Sequence, residues 1–297
     1  MINQKFKMVR ILRFGALIVL CSWASLASAQ DSTSTTSPKN IPVKSTFAGP
    51  ILIDNQTVMV PNKNALTFTF QHRFGDLNQY SDMYGLFNIT SIMIGCTYVP
   101  IKNVEVGVGI CSYNMTWDVN LKIALMRQSK KGGWPVSISY YGNMGIDSRD
   151  KSNFVSMSDR YSYFNEIMIA RKVTNSFSVQ VAPSLSYMNN VPGYVDANNN
   201  IQPTMENMQF ACSVIGRYKL TPTTAIIADY DQPMTQNATN NPHPNVAGGI
   251  EFETSGHTFQ IFLSNYGYSL PQYNNFLNQN DFTKKGNFLL GFNITRL

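Results

Sequence analysis

Apolar and polar side chains alternate with a period of two along much of the chain after residue 65. The last segment is the clearest example, because one face is apolar throughout and the other is small or polar. Its apolar face carries Phe288, Leu290, Phe292 and Ile294. A period of two places these side chains on one side of an extended strand. An apolar outer face opposite a polar inner face is typical of transmembrane β-barrels.

About twelve segments show this alternation, and an even number of strands is typical of bacterial barrels. They are 66–73, 91–98, 104–110, 118–125, 136–141, 161–172, 177–187, 209–217, 224–230, 250–253, 258–264 and 287–296. Segments 161–172 and 224–230 are less regular. Pro183 lies inside an otherwise regular segment, where proline removes a ladder hydrogen bond. No apolar run after residue 65 is long enough for a transmembrane helix.

The connections between segments alternate in length. Short connections lie near 100–103, 128–134, 173–175, 220–222 and 254–256, and one further tight connection lies at 112–115. Longer polar connections lie near 75–84, 147–160, 189–205, 232–242 and 265–285. The prediction is therefore an all-β fold, an antiparallel up-and-down transmembrane β-barrel with short periplasmic turns and longer external loops. A soluble β-sandwich is the structural rival, but its outward strand positions should be polar.

The N-terminus has the pattern of a secretory signal peptide. Basic residues between Lys5 and Arg13 precede an apolar stretch, which ends at Ala27-Ser28-Ala29. We divide the chain into a signal peptide (1–29), a flexible leader rich in Ser, Thr and Pro (30–50) and an outer-membrane barrel domain (51–297). Segment 51–60 is apolar, and three interpretations stay open for it: a short periplasmic strand, a plug element or part of the first barrel strands.

Composition excludes several classes of function. The chain has 23 Lys+Arg and 17 Asp+Glu, and four of the bases lie in the signal peptide, so the mature net charge is +2. No basic cluster with interleaved aromatics suggests nucleic-acid binding.

Three cysteines remain after the signal, namely Cys96, Cys111 and Cys212. They lack metal-site spacing, and we expect free thiols.

The sequence gives little support for an enzyme. The three histidines, His72, His243 and His257, have no second metal ligand at suitable spacing. His257 and Ser264 share a strand but differ in parity, so they should point to opposite faces. No phosphate loop, dinucleotide fingerprint or zinc-helix motif is present. We therefore expect no catalytic residues, no metal and no cofactor.

Charged side chains on the predicted inner face are the candidate lumen-lining residues. They are Arg73, Glu105, Asp118, Lys122, Arg217, Asp229, Glu251 and Glu253. Buried single charges are costly unless they are paired or hydrated. These residues either interlock as salt bridges in a closed barrel or line a narrow wet pore. The sequence shows no long constricting loop and no large plug domain, which favours passage.

Four short motifs resemble a Bacteroidota outer-membrane barrel family catalogued as domain of unknown function 5777. They are Gln71-His72-Arg73-Phe74-Gly75, Ile169-Ala170-Arg171-Lys172, Gly256-His257-Thr258-Phe259-Gln260 and Gly291-Phe292-Asn293-Ile294-Thr295-Arg296. The resemblance extends from about Phe47 to the end of the chain. It implies a signal peptide and a membrane barrel, but no reaction or catalytic residue. Family members tend to end in an aromatic residue, whereas this chain ends at Leu297.

Three hypotheses for function follow. The first is an integral outer-membrane barrel that forms a narrow passive channel for small hydrophilic solutes or ions. The second is a non-conducting barrel whose external loops bind a surface or membrane-protein partner. The third, a membrane hydrolase, is the weakest. The expected partners are the lipid bilayer of the outer membrane, small solutes and, during biogenesis, the barrel-assembly machinery.

Overall fold

The computed structural model describes residues 41–78, 83–284 and 286–297. The predicted signal peptide and residues 30–40 of the leader lie outside the described residues. The strands of the described part are β1 (Ile51–Leu52), β2 (Asn55–Gln56), β3 (Leu66–Asp76), β4 (Ile89–Ile101), β5 (Val104–Cys111), β6 (Thr116–Met126), β7 (Ser137–Asp147), β8 (Tyr161–Lys172), β9 (Phe177–Met188), β10 (Gly193–Val195), β11 (Ile201–Pro203), β12 (Met208–Lys219), β13 (Thr224–Pro233), β14 (Asn245–Glu253), β15 (His257–Ser264) and β16 (Leu289–Arg296). The α-helix is α1 (Pro271–Leu277), and 3-10 turns lie at Tyr113–Met115, Lys151–Asn153 and Met157–Arg160.

Twelve strands, β3–β9 and β12–β16, form one closed antiparallel barrel. Each strand pairs with its sequence neighbours in the barrel, and β16 pairs with β3 to close the sheet. In that closing pair, Ile294 lies opposite Phe70 and Asn293 lies opposite Gln71. The up-and-down barrel of about twelve strands that the sequence predicts is therefore confirmed.

The two faces of the barrel differ as the alternation requires. Apolar side chains such as Phe68 and Ile94 point outward and are 52% and 55% exposed. Their neighbours Thr69 and Gln71 point inward and are buried. Pairing all strands in a closed sheet satisfies the backbone groups, so the outer face can be apolar without exposing an unpaired strand edge.

The strand Phe177–Met188 runs through Pro183 without a bulge. Pairing of β9 with β8 keeps the same register on both sides, with Glu166 opposite Ser184 and Ile169 opposite Val181. The ladder is interrupted only at the two intervening positions. The cost of proline is thus confined to local loss of hydrogen bonding.

The two ends of the barrel have different connections. Short turns join strands at the end where β3 begins and β16 ends, whereas the long connections lie at the opposite end. Two of the long connections contain structure that the sequence did not predict. The β10–β11 hairpin lies between β9 and β12, and α1 lies between β15 and β16.

The interior of the barrel is occupied by residues 46–60, which we call the lumen hairpin. Strands β1 and β2 pair antiparallel around a two-residue turn at Ile53 and Asp54. Phe47, Leu52 and Ile53 are at most 1% exposed. Residues 46–50 therefore do not behave as the flexible leader expected from the sequence, because Phe47 buries its ring among apolar side chains. Of the three interpretations left open for segment 51–60, the structure agrees with the plug element, since this segment lies inside the barrel.

Apolar side chains that point inward provide the contact surface for the lumen hairpin. Phe47, Leu52, Ile53 and Val58 share one buried cluster with side chains of the barrel wall. The wall contributes Tyr141, Phe164, Met168, Ala170, Ala182, Ile215, Ile227, Ala247 and Phe262. This explains the irregular pattern of segment 161–172, since β8 has lipid on one side and the hairpin on the other.

Candidate functional site: the occupied lumen

Two glutamines of the barrel wall hold the backbone of the lumen hairpin. Gln260 on β15 accepts a hydrogen bond from the Ile53 amide at 3.0 Å and donates to the Ile51 carbonyl at 3.1 Å. Gln180 on β9 accepts from the Val58 amide at 3.0 Å and donates to the Gln56 carbonyl at 2.7 Å. Each side-chain amide thus replaces the partner that a neighbouring strand would provide, which satisfies buried backbone groups.

The tip of the hairpin has an unfavourable backbone conformation. Ile53 has φ of 61°, a left-handed value that is rare for a β-branched residue and costs on the order of 1–3 kcal/mol. Its carbonyl accepts from the Arg73 guanidinium at 3.3 Å and from the Asn293 amide at 2.5 Å. Contacts from β3, β15 and β16 therefore hold the tip against the local strain.

A cluster of carboxylates surrounds the turn of the hairpin. The Asn55 side-chain amide donates to Asp229 at 2.8 Å and to Asp231 at 3.0 Å, both on β13. The Tyr266 hydroxyl lies 2.7 Å from an Asp54 oxygen and 2.6 Å from an Asp229 oxygen. Burial, followed by the nearby carboxylates, raises the pKa of Tyr266, which lies in the connection after β15. The hydroxyl therefore remains protonated and can donate its single proton to either of these acids.

The connection between β15 and β16 closes the lumen from the other end. The Asn274 amide of α1 donates to Asp54 at 2.8 Å, so α1 and the lumen hairpin meet. Gln272 and Asn275 reach the wall serines Ser162 and Ser186 at 3.3 and 3.2 Å. The expectation that no long loop constricts the lumen is therefore wrong. Regular strand periodicity carries no signal for a loop that folds back between the strands it connects.

Apolar contacts seal the same end. Phe276 of α1 is fully buried, and it shares a cluster with Leu270, Met93, Met188 and Met205. The Tyr273 ring packs against Tyr113 at 5.0 Å, and its hydroxyl lies 3.1 Å from that of Thr116. Both ends of the interior are thus filled in the described conformation.

All eight charged residues singled out from the sequence point to the inside of the barrel. Seven of them are at most 4% exposed, namely Arg73, Glu105, Asp118, Lys122, Arg217, Asp229 and Glu251. The Glu253 side chain, near the short-turn end, is 28% exposed. The structure therefore brings these residues into one interior, but it does not pair them all.

Only one group of the eight forms close ion pairs. Arg217 contacts Glu251 at 2.5 Å and Glu253 at 2.6 Å, across strands β12 and β14. Lys122 lies opposite Glu105 in the β5–β6 register, but its ammonium donates to the Pro50 carbonyl of the hairpin at 3.0 Å. Asp118 accepts from Asn120 at 2.6 Å. Among these eight residues, salt bridges are thus confined to Arg217, Glu251 and Glu253.

Sequence reasoning missed several interior residues. Glu166 and Asp231 are buried charges on β8 and β13, and Asp54 lies on the hairpin itself. Asp231 has the same parity as Asp229, so the alternation could have identified it. Asp54 precedes the barrel strands, and its position depends on where the hairpin folds, which no local pattern reveals.

The structure also places the histidine, serine and cysteine residues considered in the sequence analysis. His257 and Ser264 lie on opposite faces of β15, since Ser264 is buried inside and His257 stacks on the outward Phe259. His72 stacks on Phe292 on the outer surface at 5.3 Å. Cys96 and Cys111 are free thiols, and Cys111 pairs in register with Met93 rather than with Cys96. No described helix is both long and apolar enough to cross a membrane.

Comparison with known families identifies the class of this chain. A family model described as membrane bound beta barrel domain (DUF5777) matches residues 47–297. The chain belongs to this family, so it is a membrane-bound β-barrel in contact with a lipid bilayer. The match begins at Phe47, so the lumen hairpin is part of the family domain.

Similarity to solved structures is low. The NanC porin has 8% identity and a TM-score of 0.46, with 78% of this chain and 98% of that chain covered. The COG4313 outer membrane channel from Pseudomonas putida F1 has 10% identity and a TM-score of 0.40, with 80% and 96% covered. A triple-mutant Rhodopseudomonas blastica porin has 11% identity and a TM-score of 0.32, with 70% and 55% covered. No curated protein matches the chain. At this level the resemblances carry no argument about function.

Proposed function

We propose that this protein is an outer-membrane barrel that passes small hydrophilic solutes or ions, and that the lumen hairpin is its gate. One observation carries the proposal. The interior is closed by a segment that forms no strand pair with the barrel, while all twelve barrel strands pair with one another. Withdrawal of the hairpin would therefore leave the wall ladder intact. It would also remove the Asp54 carboxylate that Asn274 of α1 contacts, so the proposed opening includes displacement of α1 at the other end.

The chemistry of the wall supports a wet interior after withdrawal. The hairpin is held through side-chain amides and charges such as Gln180, Gln260 and Lys122, and water can take over these hydrogen bonds. Charged side chains on the wall are tolerated when water hydrates them. The same charges facing an empty, dry interior would cost free energy, because they would lack polar partners. The eight predicted residues, Arg73 to Glu253, would then line the passage and tune its ion preference.

The direction of withdrawal follows from how the chain enters the barrel. The Val43 amide donates to the Gln128 carbonyl at 2.8 Å, and Pro42 forms a bridge with Ser129, next to the short β6–β7 connection. In bacterial barrels short turns face the periplasm. The hairpin would thus leave toward the periplasm. The proposal also includes export by a cleaved signal peptide (1–29) and insertion by the barrel-assembly machinery into the outer membrane of a Bacteroidota cell. No enzymatic activity is proposed.

Planar-bilayer recording tests this function. We compare the intact chain, a variant lacking 46–60, and Asn55→Ala, which loses two hydrogen bonds to the wall carboxylates. We expect a mostly closed intact chain, stepwise conductance for the deletion and more frequent opening for Asn55→Ala. Asn198→Ala, in an exposed part of a long connection, is the matched control and should resemble the intact chain. A correctly assembled deletion variant without any conductance would reject the gate.

A non-conducting barrel with a partner-binding outer surface is the second candidate. It is favoured by the filled interior and by the ordered 147–160 connection. There, Arg160 donates to the Asp147 and Arg149 carbonyls, both at 2.8 Å, and lies 4.3 Å above the Phe154 ring. If this candidate holds, deletion of 147–160, 189–205 or 265–285 abolishes association with the partner, and removal of the hairpin produces no current.

A further inference from the structure

The described interior of the barrel holds more buried acids than bases. Six carboxylates have no ion-pair partner within 4.0 Å, and only two bases are in the same situation, Arg73 and Lys122. The six are Asp54, Glu105, Asp118, Glu166, Asp229 and Asp231. Arg217 does not change this balance, since it is occupied by Glu251 and Glu253.

Three of these carboxylates also have an oxygen without any hydrogen-bond partner among the described residues. They belong to Glu105, Asp118 and Glu166, which are 3%, 0% and 3% exposed. Glu105 and Asp118 line a cavity of about 40 Å³ between the wall and the lumen hairpin. A buried carboxylate oxygen with no partner is costly, and it is satisfied by a cation, a proton or water.

Two glycines of β5 allow close packing of the side chains next to this cavity. Gly107 lies between Thr97 and Asn120 in the register of β4, β5 and β6, and a Cβ on it would lie 2.6 Å from a Thr97 methyl carbon. Gly109, opposite Asp118, would bring a Cβ to 2.8 Å from the Met93 side chain. Neighbouring side chains already occupy the space above both glycines, so a side chain at either position would displace them.

The hairpin already satisfies two wall carboxylates in the closed state. The Asn55 amide nitrogen lies between Asp229 and Asp231, at 2.8 and 3.0 Å, where its two N–H groups stand in for a bound cation. When the hairpin leaves, these donors leave with it, as does Asp54. The wall then retains five of the six unpaired carboxylates against two buried bases, Arg73 and Lys122.

We propose that the solutes passed by this barrel are cations, selected by the unpaired carboxylates of the wall, with Asp229 and Asp231 uncovered when the hairpin withdraws. The inference rests on the proposed gate. Hydration on opening stabilises the ionised carboxylates, and a narrow low-dielectric tube concentrates counter-ions. Rings of Asp and Glu select cations in channels by the same physics.

The test is the reversal potential of the variant lacking 46–60, measured in planar bilayers under a tenfold KCl gradient. We expect potassium to permeate more readily than chloride by on the order of tenfold. The double substitution Asp229→Asn and Asp231→Asn in this background should move the permeability ratio most of the way toward one. Asp150→Asn, which removes an exposed charge outside the lumen, is the matched control and should leave the ratio unchanged.

The outcomes separate the two proposals. Conductance without preference for potassium, or with preference for chloride, overturns the cation inference and leaves the gate intact. A preference that survives the double substitution overturns the role of Asp229 and Asp231. Absence of conductance in the assembled deletion variant overturns the gate and the inference together. Assembly of each variant is checked by gel mobility with and without boiling.

Discussion

At the scale of single residues, the interior distinguishes paired charges from unpaired ones. The Arg217 and Glu251 side chains are 4% and 1% exposed and lie 2.5 Å apart. Removing one member of such a pair leaves a buried charge without compensation. The second base on β12, Lys219, lies 3.5 Å from Glu253, and both are about 30% exposed, so water screens that contact.

We therefore expect Arg217→Met to lower the free energy of unfolding by about 3–5 kcal/mol, because Glu251 loses its partner. Lys219→Met, on the same strand and two residues away, should cost only about 0–1 kcal/mol. Urea unfolding in detergent, followed by gel mobility, measures both. Equal losses for the two variants would show that Arg217 contributes no more than a surface charge.

At the scale of elements, pairing of β14 with β15 depends on a close approach of backbones. Gly249 lies opposite Phe262, and a Cβ at Gly249 would overlap the carbonyl oxygen of Ile261. Gly248, one position earlier, points to the other face, and the nearest atom to its Cβ would be 3.9 Å away. Backbone atoms cannot move aside as a flexible side chain can.

We expect Gly249→Ala to destabilise the barrel by about 1–3 kcal/mol, as overpacking does. The matched substitution Gly248→Ala should be tolerated, because its methyl group makes only an ordinary van der Waals contact on the outer face. The temperature at which each variant converts from the compact to the unfolded gel form compares them. An unchanged temperature for Gly249→Ala would mean that the two strands separate without cost.

At the scale of the whole molecule, the wall and its contents are separable. The sheet closes through β16 and β3, whereas the lumen hairpin pairs only within itself. The hairpin buries Phe47, Leu52 and Ile53 against the wall, so it adds stability without defining the topology. Burial of each such side chain contributes about 1.5–3 kcal/mol before strain and hydration are considered.

We expect the variant lacking 46–60 to insert and to run as a compact band in unboiled samples, but to unfold at a lower temperature than the intact chain. The reason is that its strand ladder is complete while apolar side chains such as Phe164 and Ile227 lose their partner. Gel mobility of unboiled and boiled membrane extracts is the measurement. A chain that never forms the compact band would show that the hairpin is needed for assembly.

The fold could be predicted from the sequence because strand alternation is local. In each barrel strand, consecutive residues alternate between the apolar outer face and the inner face, as residues Leu290 to Thr295 of β16 illustrate. The same rule located the eight inward charges. The rule could also have shown that Phe164, Ile227 and Phe262 point inward. A water-filled pore does not need such apolar side chains, so they indicate a partner inside the barrel.

The sequence by itself determined the strands, their inner and outer faces and the even strand number, since these follow from the period of two and the apolar surroundings. Only the tertiary structure decided that the interior is filled. The contacts that fill it join residues far apart in the chain, such as Asn55 to Asp229 and Asp54 to Asn274. Such contacts form only because the closed barrel places strands that are distant in sequence around one interior. No local sequence pattern shows which of their side chains meet there.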